Sequence, residues 1–159
     1  MNITILAVGK IKESFYRDAI SEFSKRLSRY CKLTIVEVPD EKTPDAAPAS
    51  VMTQIKDREG DRLLERIRPG SHVVALAIQG KKRSSEDLAA HIEQLGVQGT
   101  SDLCFVIGGS LGLSDRVLAR AQEKLSFSDM TFPHQLMRVI LLEQIYRSFR
   151  IIHHEPYHK

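Results

Sequence analysis

The chain has 159 residues and a mass of 18.0 kDa, which is the size of one domain with a single hydrophobic core. Its 23 Lys and Arg residues against 20 Asp and Glu residues give a net charge of +3, which excludes a polycationic tail. Hydrophobic residues make up 42% of the chain and charged residues 27%, a balance that is typical of folded globular proteins and excludes disorder.

The sequence has none of the features of a secreted or membrane protein. Residues 1–10 show no basic segment before their apolar stretch and no small-residue cleavage site. No apolar run reaches the roughly 18 residues that a transmembrane helix needs. Cys31 and Cys104 form no Cys-x-x-Cys pair, so we expect a protein of the reducing cytoplasm with no membrane partner.

Hydrophobic periodicity predicts alternating strands and helices in the first half of the chain. Apolar residues recur every four positions from Phe15 to Leu27, as an amphipathic helix requires. In chain order we expect a strand at 3–8, a helix at 14–31, a strand at 32–38, a proline-rich surface loop at 39–50 and a charged helix at 51–68 that Gly60 interrupts.

The same alternation continues in the second half. We expect a strand at 72–78, a helix capped at Ser84 or Ser85, a strand at 103–107, a short helix after Ser114, a brief strand at about 124–128, and a long helix from Pro133 to about Arg150. Because parallel strands need crossover connections, this order predicts an α/β doubly wound domain with a parallel sheet and helices on both faces.

A glycine-rich segment, residues 107–112, follows the fourth strand and precedes a helix. Glycines there allow backbone amides to approach a ligand. The dinucleotide fingerprint is incomplete because Ile107 stands where its first glycine belongs, although Asp129 follows Gly109 by 20 residues. A plain tight turn and a ligand-binding loop both remain open, and no phosphate-binding Gly-Lys-Ser/Thr sequence of ATPases occurs.

Three further features carry polar groups near the sheet and the last helix. The basic run 81–83 is either a solvated charge cluster or a contact to a nucleic-acid backbone. The hydroxyl-rich run 125–134 is explained only in part by a helix cap at Ser128 or Thr131 with Pro133 in the first turn. Arg138 lies within a last helix that is apolar on most of its circumference, which predicts both core burial and an oligomer interface.

Histidines are concentrated in the C-terminal tail, where His153, His154 and His158 occur. Adjacent histidines followed by proline do not present the i,i+4 face of zinc-binding helices, so we expect no metal. Tyr157 and His158 supply instead a hydrogen bond and a proton acceptor near neutral pH, provided that the tail is docked.

Four segments together closely resemble one protein family. They are Ile-Thr-Ile-Leu-Ala-Val-Gly-Lys at 3–10, the glycine-rich segment 105–112, the hydroxyl-rich segment 125–135 and Glu-Pro-Tyr-His at 155–158. The combination resembles the bacterial ribosomal RNA large subunit methyltransferase H family, the 23S rRNA (pseudouridine-N3)-methyltransferases. The resemblance covers residues 1–159 as one domain, and its departures, Leu111 and the loop 44–50, touch no key motif.

The resemblance implies a fold that the residue pattern does not indicate. The family belongs to the SPOUT methyltransferases, whose C-terminal segment forms a deep trefoil knot that binds S-adenosylmethionine. Knots are otherwise almost absent from proteins. By resemblance, the cofactor site is lined by Leu76, Gly108, Phe127, Ser128, Asp129, Met130, Thr131 and Phe132.

The resemblance also implies partners and a reaction. Family members act as homodimers on a pseudouridine in the helix 69 loop of 23S rRNA, within the large subunit or the assembled 70S ribosome. The methyl group is carried on a sulfonium, so the enzyme must mainly orient the target and remove its N3 proton. We expect His158, assisted by Tyr157, to accept that proton and Arg138 to hold a carbonyl oxygen or phosphate of the target.

Three alternatives stay open at this point. The first is a SPOUT methyltransferase that acts on another RNA, such as a tRNA. The second is a ribosome-binding factor that keeps the fold without catalysis. The third, a nucleotide-dependent oxidoreductase, is weakened by the incomplete glycine fingerprint.

Overall fold

Five strands alternate with five helices in the computed structural model, which describes residues 1–159. In chain order the elements are β1 (Asn2–Val8), α1 (Ser14–Leu27), β2 (Lys32–Val38), α2 (Ala49–Glu65), β3 (His72–Lys82), α3 (Ser85–Val97), β4 (Asp102–Ile107), α4 (Asp115–Arg120), β5 (Glu123–Ser126) and α5 (His134–Ile152). All strands are parallel in one sheet with the order β2-β1-β4-β3-β5. The α/β prediction is therefore confirmed.

The sheet is covered on both faces, as predicted, because successive side chains of a strand point to opposite sides. In β1, Ile3, Ile5 and Ala7 belong to a core that is shared with α1, α3 and α5. Leu6 and Val8 belong to a second core, which α2 and α4 complete. None of the five helices is both long enough and apolar enough to span a membrane.

The last helix occupies the larger core. Leu141, Leu142 and Ile145 are completely buried, and α5 packs against both α1 and α3. This burial explains the apolar residues in the second half of the helix and confirms that α5 is a core element, whereas Leu136, Val139 and Ile140 stay partly exposed. Its predicted role in an oligomer interface stays a prediction.

Gly60 does not interrupt α2, so that prediction is wrong. The helix runs unbroken through Gly60, and a Cβ atom at this position would lie 2.3 Å from Ser114 Oγ. The glycine is therefore needed to let α2 approach the start of α4. Because the contact joins residues that are distant in sequence, helical periodicity carries no sign of it.

The end of β3 crosses close to β5. Leu125 pairs with both Leu76 and Lys81, which places two parts of β3 beside the same strand. A Cβ atom at Gly80 would lie 2.7 Å from the backbone carbonyl carbon of Lys124. Only glycine fits there without a shift, which explains why β3 extends beyond the predicted end at residue 78. The trefoil knot itself stays a prediction from the family resemblance.

Candidate active site

A deep cleft lies at the carboxyl ends of β3, β4 and β5, where parallel α/β sheets bind ligands. Its volume is about 1010 Å³. Three segments provide most of its wall, namely 76–79, 107–113 and 125–134 without Asp129. Apolar side chains and the glycine-rich backbone share this wall, a combination that suits a ligand with an aromatic part and a polar part.

The glycine-rich segment folds as a tight turn against itself. A Cβ atom at Gly108 would lie 2.7 Å from the carbonyl carbon of Gly112, so a side chain cannot be added at Gly108 without moving the turn. Gly112 has a φ of 88°, in the left-handed region that glycine adopts without strain. The tight turn is confirmed, and because it borders the cleft, a ligand-binding role of the same loop stays a prediction.

The hydroxyl-rich segment shapes the opposite wall. The Ser126 hydroxyl donates to the Ser128 carbonyl oxygen at 3.1 Å, and the Met130 amide donates to Ser128 Oγ at 3.0 Å. The predicted cap at Ser128 or Thr131 is wrong, because the N-cap of α5 is Pro133 and no side chain caps the helix. The serines instead hold the loop in a fixed turn beside the cleft.

Seven of the eight residues that the resemblance assigns to the cofactor line this cleft, namely Leu76, Gly108, Phe127, Ser128, Met130, Thr131 and Phe132. Asp129 is not part of the lining. Its carboxylate is 82% exposed and lies 2.7 Å from Lys82 Nζ. The backbone turn sends this one side chain outward while its neighbours face the cleft.

His134 lines the cleft and was missed as a site residue in the sequence. Burial lowers the pKa of its imidazole, and the nearby Arg138 guanidinium lowers it further. Its Nδ1 atom is buried and has no hydrogen-bond partner. The neutral ring therefore adds a polar group to the cleft lining. In the sequence, its position directly after Pro133 was the only sign of this role.

Arg138 is deeply buried, as its place in the apolar helix predicts. Its side chain is 1% exposed, and the guanidinium forms an ion pair with Glu37 and donates to the Gly9 carbonyl oxygen at 3.1 Å. The expectation that a buried arginine must be paired is met. In this conformation the side chain is not available to hold a target, because it would have to leave both partners.

The C-terminal tail is docked, which was the condition for a role in proton transfer. The Tyr157 hydroxyl donates to Glu143 Oε1 at 3.0 Å, and the guanidinium of Arg147 lies 4.7 Å from the centre of the Tyr157 ring. Burial, together with the hydrogen bond to Glu143, raises the pKa of Tyr157. Tyr157 therefore keeps its proton and acts as a hydrogen-bond donor.

His158 lies between two charged side chains. Its Nδ1 is 3.1 Å from Arg147 Nη1, and its Nε2 is 2.6 Å from Glu86 Oε1. Because arginine only donates, we assign Nδ1 as the acceptor and the ring proton to Nε2. Neither Tyr157 nor His158 borders the cleft of its own chain.

Comparison with known proteins gives full-length matches. A family model described as "Predicted SPOUT methyltransferase" matches residues 1–158. Ribosomal RNA large subunit methyltransferase H of Bifidobacterium animalis subsp. lactis (strain AD011) is 62% identical over 159 residues, which is 100% of both chains. The protein of the same name from Bacillus pumilus (strain SAFR-032) and ribosomal RNA large subunit methyltransferase H 1 of Clostridium perfringens (strain SM101 / Type A) are each 57% identical over 159 residues, again with full coverage of both chains.

Proposed function

We propose, from the premise that the chain belongs to the SPOUT methyltransferases, that it transfers a methyl group to N3 of a pseudouridine in 23S rRNA. Full-length identity of 57–62% to proteins named ribosomal RNA large subunit methyltransferase H supports a ribosomal RNA target. The structural observation that carries the proposal is the cleft of about 1010 Å³ at the carboxyl ends of three neighbouring strands. The proposed substrate is the helix 69 loop of the assembled ribosome, in the cytoplasm.

The residues of the cleft fit S-adenosylmethionine. The volume of about 1010 Å³ lies at the upper end of the roughly 300–1,000 Å³ that small-molecule sites occupy. Leu76, Ile78 and Phe127 provide apolar walls for an adenine, and the backbone of the glycine turn provides polar groups beside them. When bound, S-adenosylmethionine supplies a methyl group on a positively charged sulfur, which is an electrophile.

The chain must then remove the proton from N3 of the target, because an imide nitrogen attacks only once its lone pair is free. We assign this step to Nδ1 of His158, which can take the N3 proton once the Arg147 guanidinium, its hydrogen-bond donor in this structure, has turned away from the ring. The Nε2 atom of His158 donates to the Glu86 carboxylate, and this hydrogen bond lowers the pKa of Glu86. Glu86 therefore stabilises the protonated imidazole of His158. Tyr157 keeps its proton and holds the tail through Glu143.

Arg138 acts in this proposal as a positioning residue. Its bonds to Glu37 and to the Gly9 carbonyl oxygen tie the start of α5 to the ends of β1 and β2. This tie fixes the position of His134, which lines the cleft. Direct contact with the target, which the resemblance suggested, is replaced by support of the cleft.

The proposal includes a homodimer in which the tail of one subunit completes the cleft of the other. The separation of Tyr157 and His158 from the cleft lining of their own chain supports it. A homodimer also doubles the net charge per particle from +3 to +6, which favours association with RNA.

Labelled S-adenosylmethionine tests the substrate when it is incubated in parallel with undermodified intact ribosomes, separated subunits and tRNA. We expect label in ribosomal RNA of the large subunit, saturable cofactor binding by the wild type, and loss of that binding in Gly108→Arg. Gly70→Ala is the matched control, because a Cβ atom at Gly70 meets nothing within 4 Å. Label in tRNA alone, or an absence of cofactor binding, contradicts the proposal.

Mixed dimers test the shared site. Gly108→Arg and His158→Ala should each be inactive alone, whereas a dimer that contains one copy of each keeps one intact site. Coexpression at equal amounts should therefore restore roughly a quarter of the wild-type rate, since half of the dimers are mixed and each has one of two sites. No recovery in mixed dimers that are shown to form would place both groups in one subunit.

A further inference from the structure

Three side chains that the proposed reaction does not use meet near the amino ends of β3 and β5. His72 Nε2 lies 2.7 Å from Glu123 Oε2, and His91 Nε2 lies 2.6 Å from the same oxygen. The three potential ligand atoms lie within 4.8 Å of one another. Two imidazoles and a carboxylate are a donor set that Zn²⁺ takes in proteins, with a water as fourth ligand.

The tertiary fold assembles this cluster, because each side chain comes from a different element. His72 is the first residue of β3, His91 lies within α3, and Glu123 is the first residue of β5. The three side chains are only 20–22% exposed, so they are held by their surroundings and still reachable from solvent. The sequence expectation of no metal rested on the tail histidines and did not connect these three residues.

The geometry requires little change to accept an ion. Zinc bonds of about 2.0–2.1 Å in a tetrahedral site place neighbouring ligand atoms about 3.3 Å apart. The contacts of 2.6 and 2.7 Å to Glu123 Oε2 therefore need to lengthen by about 0.6 Å, which a small rotation of one side chain provides. Both imidazole Nε2 atoms already lie against the same carboxylate oxygen.

The surroundings of the cluster fix which oxygen is free for an ion. Arg83 Nη2 lies 3.8 Å from Glu123 Oε1, the oxygen that the histidines do not contact. This contact orients the carboxylate and disfavours ligation through both oxygens, in the way that neighbouring polar groups orient metal ligands elsewhere. Two neutral imidazoles and one carboxylate carry one negative charge, which a divalent cation reverses to +1.

We propose that His72, His91 and Glu123 bind one zinc ion per chain and that the ion ties α3 to β3 and β5. The site lies at the amino ends of these strands, whereas the cleft lies at their carboxyl ends. The proposed ion therefore acts on the stability of the fold and not on the cleft, and its test does not depend on methyl transfer.

The test uses the full chain, stripped with a chelator and dialysed, and then titrated with ZnCl₂ in a calorimeter. The variant His91→Gln keeps a hydrogen-bond donor for Glu123 but removes an imidazole ligand. The matched control is His154→Asn, because His154 is an exposed histidine with a φ of 54°, a conformation that asparagine tolerates. We expect one zinc per chain in the wild type and the control, and at least about tenfold weaker binding in His91→Gln.

Two further measurements keep the proposal falsifiable if the variant folds poorly. Wild-type protein loaded with CoCl₂ should show the visible absorption of tetrahedral Co²⁺, and its melting temperature should rise with zinc concentration. Circular dichroism checks that His91→Gln is folded. The absence of one-to-one binding in the wild type, or equal binding by His91→Gln, overturns the proposal and leaves a hydrogen-bonded cluster without an ion.

Discussion

Gly80→Ala is the sharpest test of the crossing between β3 and β5. The added Cβ atom would lie 2.7 Å from the carbonyl carbon of Lys124 and 2.8 Å from the backbone nitrogen and carbonyl carbon of Leu125. Ordinary contacts of a Cβ atom begin at 3.4 Å, so the two chain segments must separate by about 0.7 Å. Because the contacts are backbone atoms within a paired strand, no side-chain rotation can relieve them.

The expected cost follows from two opposing effects. Overpacking of a closely packed interior costs about 1–3 kcal/mol. Replacing glycine by alanine restricts the unfolded chain, which recovers about 0.4–1 kcal/mol. The upper part of the first range applies because three backbone atoms clash, which leaves a net loss of about 2 kcal/mol. For a domain of this size that loss lowers the melting temperature by about 4–8 °C.

Differential scanning calorimetry measures the shift, with Gly70→Ala as the matched control. A Cβ atom at Gly70 meets nothing within 4 Å, so this variant should melt at or slightly above the wild-type temperature. Affinity for S-adenosylmethionine should also fall in Gly80→Ala, because residues 76–79 line the cleft. A variant that melts within about 1 °C of the wild type would refute the close crossing.

Burial raises the pKa of Glu59, although the hydrogen bond from the Glu41 amide opposes this shift. The contribution of Glu59 to stability is therefore full below its pKa in the unfolded chain. It is lost as the pH rises through its pKa in the folded chain. Glu59→Gln should therefore raise the melting temperature more at pH 7 than at pH 4, and an equal shift at both pH values would count against this. Glu37→Gln removes the charged partner of the buried Arg138 and should lower the free energy of unfolding in urea by about 1–2 kcal/mol. The loss stays this small because Glu37 is 37% exposed and its ion pair is screened by solvent. Burial raises the pKa of the Cys31 and Cys104 thiols to about 11, so a thiol-disulfide reagent at pH 8 should label them slowly until urea unfolds the chain.

The bounds of an element could be predicted from the sequence where neighbouring residues determine them. The apolar residues of β2 end at Pro39, and its predicted and observed bounds agree. The Ser84 hydroxyl accepts from the Asp87 amide at 3.0 Å, as the predicted cap of α3 requires. In such elements periodicity and capping act within a few residues, so one segment of sequence contains the whole cause.

Features that depend on tertiary contacts escaped prediction. In the sequence Gly60 is typical of a helix break, whereas in the structure it allows α2 to contact Ser114. The extension of β3 past residue 78 depends on the backbone of β5, which lies more than 40 residues away in the sequence. The cleft could be predicted only in part. Seven of the eight residues that the resemblance assigned to the cofactor line it, but the outward direction of Asp129 and the presence of His134 follow from how one loop turns.

The distribution of titratable groups argues for catalysis by a dimer. Among the residues that line the cleft, only Lys56 and His134 carry ionisable side chains, and burial lowers the pKa of His134. In the proposed reaction these groups hold the ligand, whereas the proposed proton acceptor is His158 in the docked tail, which has charged partners on both sides. Within one chain, His158 does not border the cleft that is proposed to hold the cofactor. A second copy of the same chain is the simplest means of joining them, because rotational symmetry places each tail against the other subunit in the same way.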